Sequence, residues 1–352
     1  MKKLIFFVIV TLILSAVVSQ VSAQLAFKTT SPSTIAYYEY LPSDYNSNSN
    51  KYPIVIFLHG IGERGPNTTD KKVLGDNIQK VAKIGPPKFV KSGTKFPFIL
   101  ISPQLKSNYG NWPTGYVMEV INHVKKYLRV DEKRIYITGL SLGGGGAWSI
   151  AQDYPQLFAA LVPVCGGYNN QSKAVNIAKE NLPVWASHGD LDNVVNVGKT
   201  VNMVKKINET KPAPNPLAKI TIYKGVKHNA WDYAYRVDNS LHKPNVYEWM
   251  LAQTNKKNAG NNIPTAKAGG DQTKYLSSTN TTTLSGSGSD SDGSIKKYAW
   301  SKLSGPAATL SGNTTPKLKV SGLKEGTYYF RLQVTDDKGN TDSDYVRIIV
   351  KK

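Results

Sequence analysis

The sequence predicts two folded units: an α/β domain on a mostly parallel sheet, then a small all-β sandwich. Between residues 54 and 253, short apolar runs alternate with amphipathic stretches, the pattern of a parallel sheet covered by helices on both faces. After residue 253, short alternating segments are separated by clusters of Gly, Ser, Asn and Asp, which is typical of a sandwich. A chain of 352 residues is long enough for both units.

Six apolar runs are predicted to be strands of the first unit. Each is nearly continuous in apolar residues, as strands buried on both faces must be. The runs are Ile54–Leu58, Phe98–Ser102, Ile135–Thr138, Ala159–Val164, Val184–Ser187 and Ile220–Tyr223. Between the second and third runs, apolar residues recur at helical spacing, which predicts an amphipathic helix over residues 116–130.

The first 23 residues have the composition of a targeting segment. Lys2 and Lys3 precede an apolar run that extends to about Val18, and small residues precede Gln24. This pattern predicts a signal peptide over residues 1–23 that is removed on export. The alternative, a membrane anchor, is disfavoured because the run is short for a bilayer span. We therefore expect a secreted, periplasmic or cell-surface bacterial protein, with no membrane span in the mature chain.

Composition sets the predicted boundaries and narrows the partners. We assign residues 24–253 to the α/β domain, the polar residues 254–263 to a linker, and residues 264–352 to the sandwich. The formal net charge is +20, but the lysines are scattered and no nucleic-acid motif is present, so no nucleic-acid partner is expected. Cys165 is the single cysteine, and we predict that it is a small buried residue.

The segment Gly-Leu-Ser-Leu-Gly at residues 139–143 matches the pattern G-x-S-x-G. The pattern alone is weak, because about one chain in eight of this length would contain it by chance. Its context is more informative, since it follows an apolar run and opens a helix-like stretch. A serine on a tight strand-to-helix turn needs small neighbours, which Gly143 to Gly146 supply. We predict that Ser141 is a nucleophile; the alternative is a glycine-rich turn with a capping serine.

A nucleophilic serine needs a histidine base and a carboxylate that orients it, in the chain order Ser, Asp or Glu, His. Downstream of Ser141 the histidines are His188, His228 and His242. His228 is the best candidate, because it follows a predicted strand and active sites form beyond the carboxyl ends of parallel strands. His242 is interpreted as structural.

Two carboxylates, Asp190 and Asp192, compete for the role of orienting acid, because both follow the same predicted strand. The oxyanion of the transition state needs backbone donors. We expect one at Leu142, directly after the nucleophile, and the other at Ile61 in the loop after the first core strand.

Further candidates lie outside this catalytic set. We interpret three tryptophans as candidate substrate-wall residues: Trp112, Trp148 and Trp231. No cofactor or metal is predicted, and we interpret Asp290 and Asp292 as an acidic turn in preference to a calcium site.

Five sequence blocks between residues 36 and 251 resemble the α/β-hydrolase esterases of the phospholipase/carboxylesterase and polyhydroxybutyrate-depolymerase-like group, often called predicted peptidases. The blocks are LHGIGERG, RIYITGLSLGGGGAW, YPQLFAALVPVCGG, LPVWASHGDLDNVV and KHNAWDYAY. Because the acid block of this group usually reads HG-x-x-D-x-x-V, the resemblance favours Asp192 over Asp190. It implies the nucleophile Ser141, the acid Asp192, the base His228, and oxyanion amides at Ile61 and Leu142.

The end of the chain, from Ile263, resembles a PKD-type immunoglobulin-like domain. The resemblance rests on segments such as LSGSGSDSDGSIKKYAWSKLSGP and GTYYFRLQVTDDKGNTDSD. It implies that Trp300 is a core residue. Such modules are commonly attached to exported polymer-degrading enzymes as spacers or weak binders, so the resemblance implies a polysaccharide contact through this domain.

Together these features predict a secreted serine carboxylic ester hydrolase that forms an acyl-enzyme on Ser141. We expect acyl esters on extracellular polymers as substrates, with feruloyl or acetyl groups on plant polysaccharide first, while lipids and polyesters stay open. Two alternatives remain. One is a serine peptidase that uses the same triad; the other is a polymer-binding protein without activity, which the presence of Ser, Asp and His together disfavours.

Overall fold

A computed structural model describes residues 24–31, 33–167, 170–255, 264–277, 280–290, 293–337, 339 and 341–352. The predicted signal peptide, residues 256–263 of the predicted linker, and Asp292 lie outside these ranges. Across the described ranges, no helix has both the length and the hydropathy that a membrane span requires.

An eight-stranded sheet forms the centre of the N-terminal domain. Its strands are β1 (Ala26–Thr29), β2 (Ala36–Tyr40), β3 (Tyr52–Leu58), β4 (Ile99–Pro103), β5 (Val130–Leu140), β6 (Ala160–Val164), β7 (Trp185–Gly189) and β8 (Lys219–Tyr223). They lie in the order β1-β2-β4-β3-β5-β6-β7-β8. β2 runs antiparallel to both neighbours, and the other pairs are parallel. Every residue of β3, β4, β6 and β7 is buried, so the predicted mostly parallel α/β sheet is confirmed.

Eight α-helices connect and cover these strands. They are α1 (Lys71–Asn77), α2 (Gly85–Lys91), α3 (Thr114–Tyr127), α4 (Leu142–Asp153), α5 (Ala174–Lys179), α6 (Gly198–Asn208), α7 (Trp231–Ala234) and α8 (Val246–Leu251). The predicted helix over residues 116–130 was wrong at its end, since α3 stops at Tyr127 and Val130 opens β5. Pairing of Val130 with Tyr52 of β3 explains the difference.

The C-terminal domain is a β-sandwich, as predicted. Its strands are β9 (Thr265–Lys267), β10 (Gln272–Tyr275), β11 (Thr282–Ser285), β12 (Ser287–Ser289), β13 (Ile295–Ser304), β14 (Thr309–Ser311), β15 (Lys317–Ser321), β16 (Gly326–Asp336) and β17 (Thr341–Lys351). One sheet has the order β10-β17-β16-β13 and another β11-β15-β14. Trp300 is 4% exposed and packs in the core of this domain.

The two domains share a packed contact, which the sequence analysis did not anticipate. Tyr345 of β17 is buried in the apolar core on the α3 side of the N-terminal sheet. Polar contacts surround it: Arg331 Nη1 donates to the Tyr154 hydroxyl at 2.8 Å, and Gln156 Nε2 donates to Thr341 Oγ1 at 2.9 Å. The C-terminal domain is therefore docked on the first domain.

A cavity of about 680 Å³ lies at this contact, and charged side chains line it. Lys125 Nζ lies 2.9 Å from Glu132 Oε2, and Asp342 Oδ2 accepts a hydrogen bond from the Ala266 amide at 2.8 Å. Burial raises the pKa of Asp342, and the nearby Lys125 and the amide bonds only partly offset this. Burial lowers the pKa of Lys125, but Asp342 and Glu132 outweigh it, so the net shift is upward.

Candidate active site

Ser141 lies on the sharp turn between β5 and α4. Its φ is 53° and its ψ is −118°, a conformation that L-residues rarely adopt. A Cβ at Gly139 would lie 2.3 Å from the Gly143 carbonyl oxygen, and one at Gly143 would lie 2.0 Å from the Leu58 carbonyl oxygen. Only glycine fits these two positions, so the backbone can close around the serine at the carboxyl end of the sheet.

The structure brings Ser141, His228 and Asp192 into one hydrogen-bonded line. His228 Nε2 lies 2.8 Å from Ser141 Oγ, and His228 Nδ1 lies 2.7 Å from Asp192 Oδ2. Because a carboxylate only accepts hydrogen bonds, Nδ1 carries the hydrogen and Nε2 is left to accept from the serine hydroxyl. The three residues come from the turn after β5 and the loops after β7 and β8.

Asp192 is held as an anion. Its Oδ1 accepts hydrogen bonds from the amides of Val194 and Val195, both at 2.9 Å. Burial acts to raise the pKa of Asp192, but the bonds from His228 and the two amides outweigh it, so the pKa lies below its usual range. A negative charge is therefore available to orient His228.

Asp190, the competing carboxylate, has a different partner. Its Oδ1 accepts a hydrogen bond from the Gly225 amide at 2.7 Å. This bond joins the loop after β7 to the loop that leads from β8 to His228. Asp190 therefore acts as a brace between two loops, and Asp192 is the carboxylate that contacts the histidine.

The two predicted oxyanion amides, those of Ile61 and Leu142, each belong to the first residue of a helix. Ile61 is the first residue of a short 3₁₀ helix, Ile61–Glu63, and Leu142 is the first residue of α4. Amides in the first turn of a helix have no acceptor within that helix. A Cβ at Gly60 would lie 3.7 Å from the Cβ of Ser141, so the first of these helices begins beside the nucleophile. Both amides thus belong to helix starts next to Ser141.

The loop that carries Ile61 is held by His59, which is fully buried. His59 Nε2 accepts from the Leu105 amide at 3.0 Å, so Nδ1 carries the hydrogen and donates to the Gly60 carbonyl at 2.6 Å. Burial lowers the pKa of His59 to about 4, so the ring is neutral at ordinary pH. Trp112 Nε1 donates to the His59 carbonyl at 3.2 Å.

For two of the three tryptophans, the prediction that they line the substrate wall was wrong. Trp148 is 0% exposed and Trp112 is 3% exposed, because both pack in the core that supports the site. Trp231 is half-buried, and its ring lies edge-on to the His228 ring with centroids 5.2 Å apart. Only Trp231 of the three is placed to face a substrate.

One residue of this region was left without a role in the sequence analysis. His188 Nε2 lies 3.0 Å from Asp192 Oδ2, and both side chains are fully shielded from solvent. The sequence feature that could have indicated this contact is the position of His188, four residues before Asp192 in the block HGDLD.

Among the described residues, one cluster combines three potential metal ligands: Cys165, Asp192 and His228. Burial raises the pKa of the Cys165 thiol to about 12, and Asp192 adds to that effect. Metals bind the thiolate, so a protonated thiol beside an already paired Asp192 and His228 is a poor ligand set. Cys165 Sγ instead donates to the His228 carbonyl at 3.2 Å and supports the loop of the base.

Comparison with known proteins finds a family match in each of the two domains. Residues 113–242 match the model of the dienelactone hydrolase family, and residues 268–350 match that of the K319L-like PKD domain. The bifunctional acetylxylan esterase/xylanase XynS20E of Neocallimastix patriciarum is 24% identical over 184 residues, which are 50% of this chain and 24% of that protein. The probable feruloyl esterase C of Aspergillus niger is 30% identical over 131 residues, 36% of this chain and 44% of that protein.

A solved thermostable esterase is 28% identical, with a TM-score of 0.47 over 66% of this chain and 63% of that one. The chain spans less than two thirds of each of these three proteins.

These features define the class of site. A strand-to-helix turn carries the serine, and the hydrogen-bonded Ser, His and Asp lie at the end of the sheet. This is the arrangement of a serine-hydrolase triad on an α/β sheet. The N-terminal domain has the α/β-hydrolase fold and matches the dienelactone hydrolase family over residues 113–242, and the C-terminal domain matches the K319L-like PKD domain over residues 268–350. Both resemblances expected from the sequence are confirmed.

Proposed function

We propose that this protein is a serine carboxylic ester hydrolase, exported from the cell, that removes acyl groups from extracellular polymers. The observation that carries the proposal is the line from Ser141 Oγ through His228 to Asp192, with distances of 2.8 and 2.7 Å. The esterase names of the relatives support the reaction class, although the chain covers only part of each of them.

The reaction proceeds in two halves. His228 Nε2 takes the hydroxyl proton while Ser141 Oγ attacks the ester carbonyl carbon, and the amides of Ile61 and Leu142 donate to the oxyanion. The tetrahedral intermediate collapses, the proton passes from His228 to the leaving alcohol, and an acyl-enzyme remains on Ser141. Water, deprotonated by His228, then attacks the acyl carbon and releases the acid and the free serine.

The surface around the triad fits a bulky substrate. Three apolar side chains beside the site are well exposed: Ile61 is 58% exposed, Leu191 56% and Val194 68%. Ile61 belongs to the oxyanion loop, and Leu191 and Val194 flank Asp192. Exposed apolar residues grouped around a polar site are typical of a binding surface, and this rim would accept an acyl group that remains attached to a polymer.

An adjacent cavity favours an aromatic acyl group. It has a volume of about 520 Å³, within the range of small-molecule sites. Trp231 and Phe89 contribute its aromatic walls, and charged side chains form much of the remaining lining: Lys83, Lys88, Asp232, Arg236 and Asp238. Trp231 also contacts the His228 ring. A feruloyl ring stacked against Trp231 would lie next to the catalytic base, so feruloyl esters on plant polysaccharide are the proposed first choice and acetyl esters the second.

The first test is hydrolysis of p-nitrophenyl acetate by residues 24–352 and by the Ser141→Ala variant. We expect turnover in the parent and its loss in the variant, by several orders of magnitude. A matched p-nitroanilide is the control for peptidase activity. An amide rate equal to or above the ester rate, or no ester turnover from folded protein, would contradict the proposal.

The acyl preference is tested by Trp231→Ala and Trp231→Phe. If Trp231 binds the acyl ring, Trp231→Ala raises KM for methyl ferulate more than for p-nitrophenyl acetate, and Trp231→Phe recovers much of the loss. Equal effects on both esters would remove the argument for an aromatic acyl group while leaving the hydrolase proposal standing. Export is tested separately, by finding the amino terminus of the protein in the culture medium.

A further inference from the structure

His188, the last buried polar residue of β7 before the acid loop, contacts three groups. Its Nε2 lies 3.0 Å from Asp192 Oδ2 and 2.9 Å from the Val195 carbonyl oxygen. Its Nδ1 lies 2.8 Å from Thr200 Oγ1. The ring has no solvent exposure, so its hydrogen bonds are with the protein alone.

These contacts determine which ring nitrogen carries the hydrogen. A carbonyl oxygen only accepts hydrogen bonds, so Nε2 carries the ring hydrogen and donates it to the Val195 carbonyl oxygen, with Asp192 Oδ2 beside it at 3.0 Å. Nδ1 is then an acceptor, and the Thr200 hydroxyl donates to it. Burial lowers the pKa of His188, against the pull of Val195 and Asp192, which leaves a neutral ring whose one N–H lies between the Val195 carbonyl and Asp192.

We infer that His188 is a positioning residue for the acid of the triad, with Thr200 fixing its tautomer. The inference rests on the proposed hydrolase function. Asp192 Oδ2 accepts from His228 at 2.7 Å and lies 3.0 Å from His188 Nε2, while Oδ1 accepts from two amides. These three hydrogen bonds, together with the His188 ring packed against Oδ2, restrict the carboxylate to the orientation that bonds to His228 Nδ1, and such restriction is what a catalytic group needs.

A purely structural role makes a different prediction. Thr200 and Val195 alone satisfy both ring nitrogens of His188, so a histidine that only fills the core would affect stability and leave the chemistry unchanged. The positioning role predicts instead that kcat falls while KM stays the same, because substrate does not contact His188.

Two matched pairs of variants test this. His188→Phe removes the donor and His188→Gln restores an N–H near the position of Nε2; Thr200→Val removes the hydroxyl and Thr200→Ser keeps it. We expect kcat for p-nitrophenyl acetate to fall about tenfold to a hundredfold in His188→Phe, with KM unchanged, and to recover in His188→Gln. Thr200→Val should lose less than His188→Phe but more than Thr200→Ser.

Proton NMR of the same variants supplies a readout independent of turnover. The hydrogen between His228 Nδ1 and Asp192 resonates far downfield, and its shift should move in His188→Phe and Thr200→Val but not in Thr200→Ser. Unchanged kcat and an unchanged resonance in folded His188→Phe would overturn the inference. If that variant does not fold, identical values for Thr200→Val and Thr200→Ser overturn it equally. Absence of ester turnover in the parent would refute the proposed function, whereas the resonance would still decide the role of His188.

Discussion

Two aspartates that are largely shielded from solvent, Asp192 in the active site and Asp342 at the domain contact, have pKa values displaced in opposite directions. Burial acts to raise both. Asp192 is bonded by histidine and by two amides that are aimed at it, and its pKa falls. Asp342 faces Lys125, whose Nζ lies 2.9 Å from Oε2 of another carboxylate, Glu132. The pKa of Asp342 rises.

The comparison shows that an amide donor does not by itself keep a buried carboxylate ionised: Asp342 also accepts from the Ala266 amide at 2.8 Å, and of the two carboxylates Asp192 is the one that has a histidine N–H as well. The cation beside Asp342 is shared with Glu132, which also repels Asp342. The donors of Asp192 serve that carboxylate directly, and its charge is what His228 requires in the proposed mechanism. The same chemical group therefore orients His228 in the proposed mechanism in one region and lies at the contact between two domains in the other.

The largest expected effect separates Asp192 from its neighbour Asp190. Asp192→Asn removes the charge that orients His228, so kcat for p-nitrophenyl acetate should fall by about 10⁴. Asp190→Asn is the matched control, because an amide oxygen can still accept from the Gly225 amide; its kcat should stay close to the parent value. A larger loss in Asp190→Asn than in Asp192→Asn would overturn the assignment of the acid.

The second test removes the cation at the domain contact. Lys125→Met removes the cation that pairs with Glu132 and that opposes the upward pKa shift of Asp342, so the free energy of unfolding at pH 7 should fall by about 3 kcal/mol. Lys126→Met, a change at an exposed lysine on the same helix, should be nearly neutral. Chemical denaturation measures both. Equal stability of the two variants would show that Lys125 does not hold the contact together, and kcat of Lys125→Met should be unchanged.

Much of the first region was predictable from the sequence because local chemistry determines it. The turn at Ser141 requires glycine at fixed positions, and the steric contacts of Gly139 and Gly143 show why. The six predicted strands are recognisable because residues buried on both faces must be apolar. Asp190 and Asp192 were not separable by spacing alone; the family pattern chose between them, and the hydrogen bond to His228 agrees with that choice.

The parts that sequence reasoning missed depend on contacts between distant segments. Trp112 and Trp148 are aromatic residues of the kind that line substrate sites, but both are buried in the core beneath the site. The second contact of Asp192, with His188, depends on how the loop after β7 folds back. In the sequence pattern, Tyr345 is an ordinary strand residue of the C-terminal domain. Only the contact between the two domains places it in the core of the first domain.

The smallest expected effect tests the opposite pKa displacements directly, through the free energy of unfolding of Asp192→Asn and Asp342→Asn at pH 3 to 7. The folded pKa of Asp192 is lowered, so its stabilising contribution is present above the unfolded pKa, about 3.9, and is lost as pH falls. The folded pKa of Asp342 is raised, so the parent loses stability relative to Asp342→Asn as pH rises through that range. The loss is about 1.4 kcal/mol for each pH unit that separates the folded pKa from the unfolded pKa. The two stability differences should therefore have slopes of opposite sign. Slopes of the same sign would mean that desolvation governs both carboxylates, and that the donors around Asp192 do not keep it ionised.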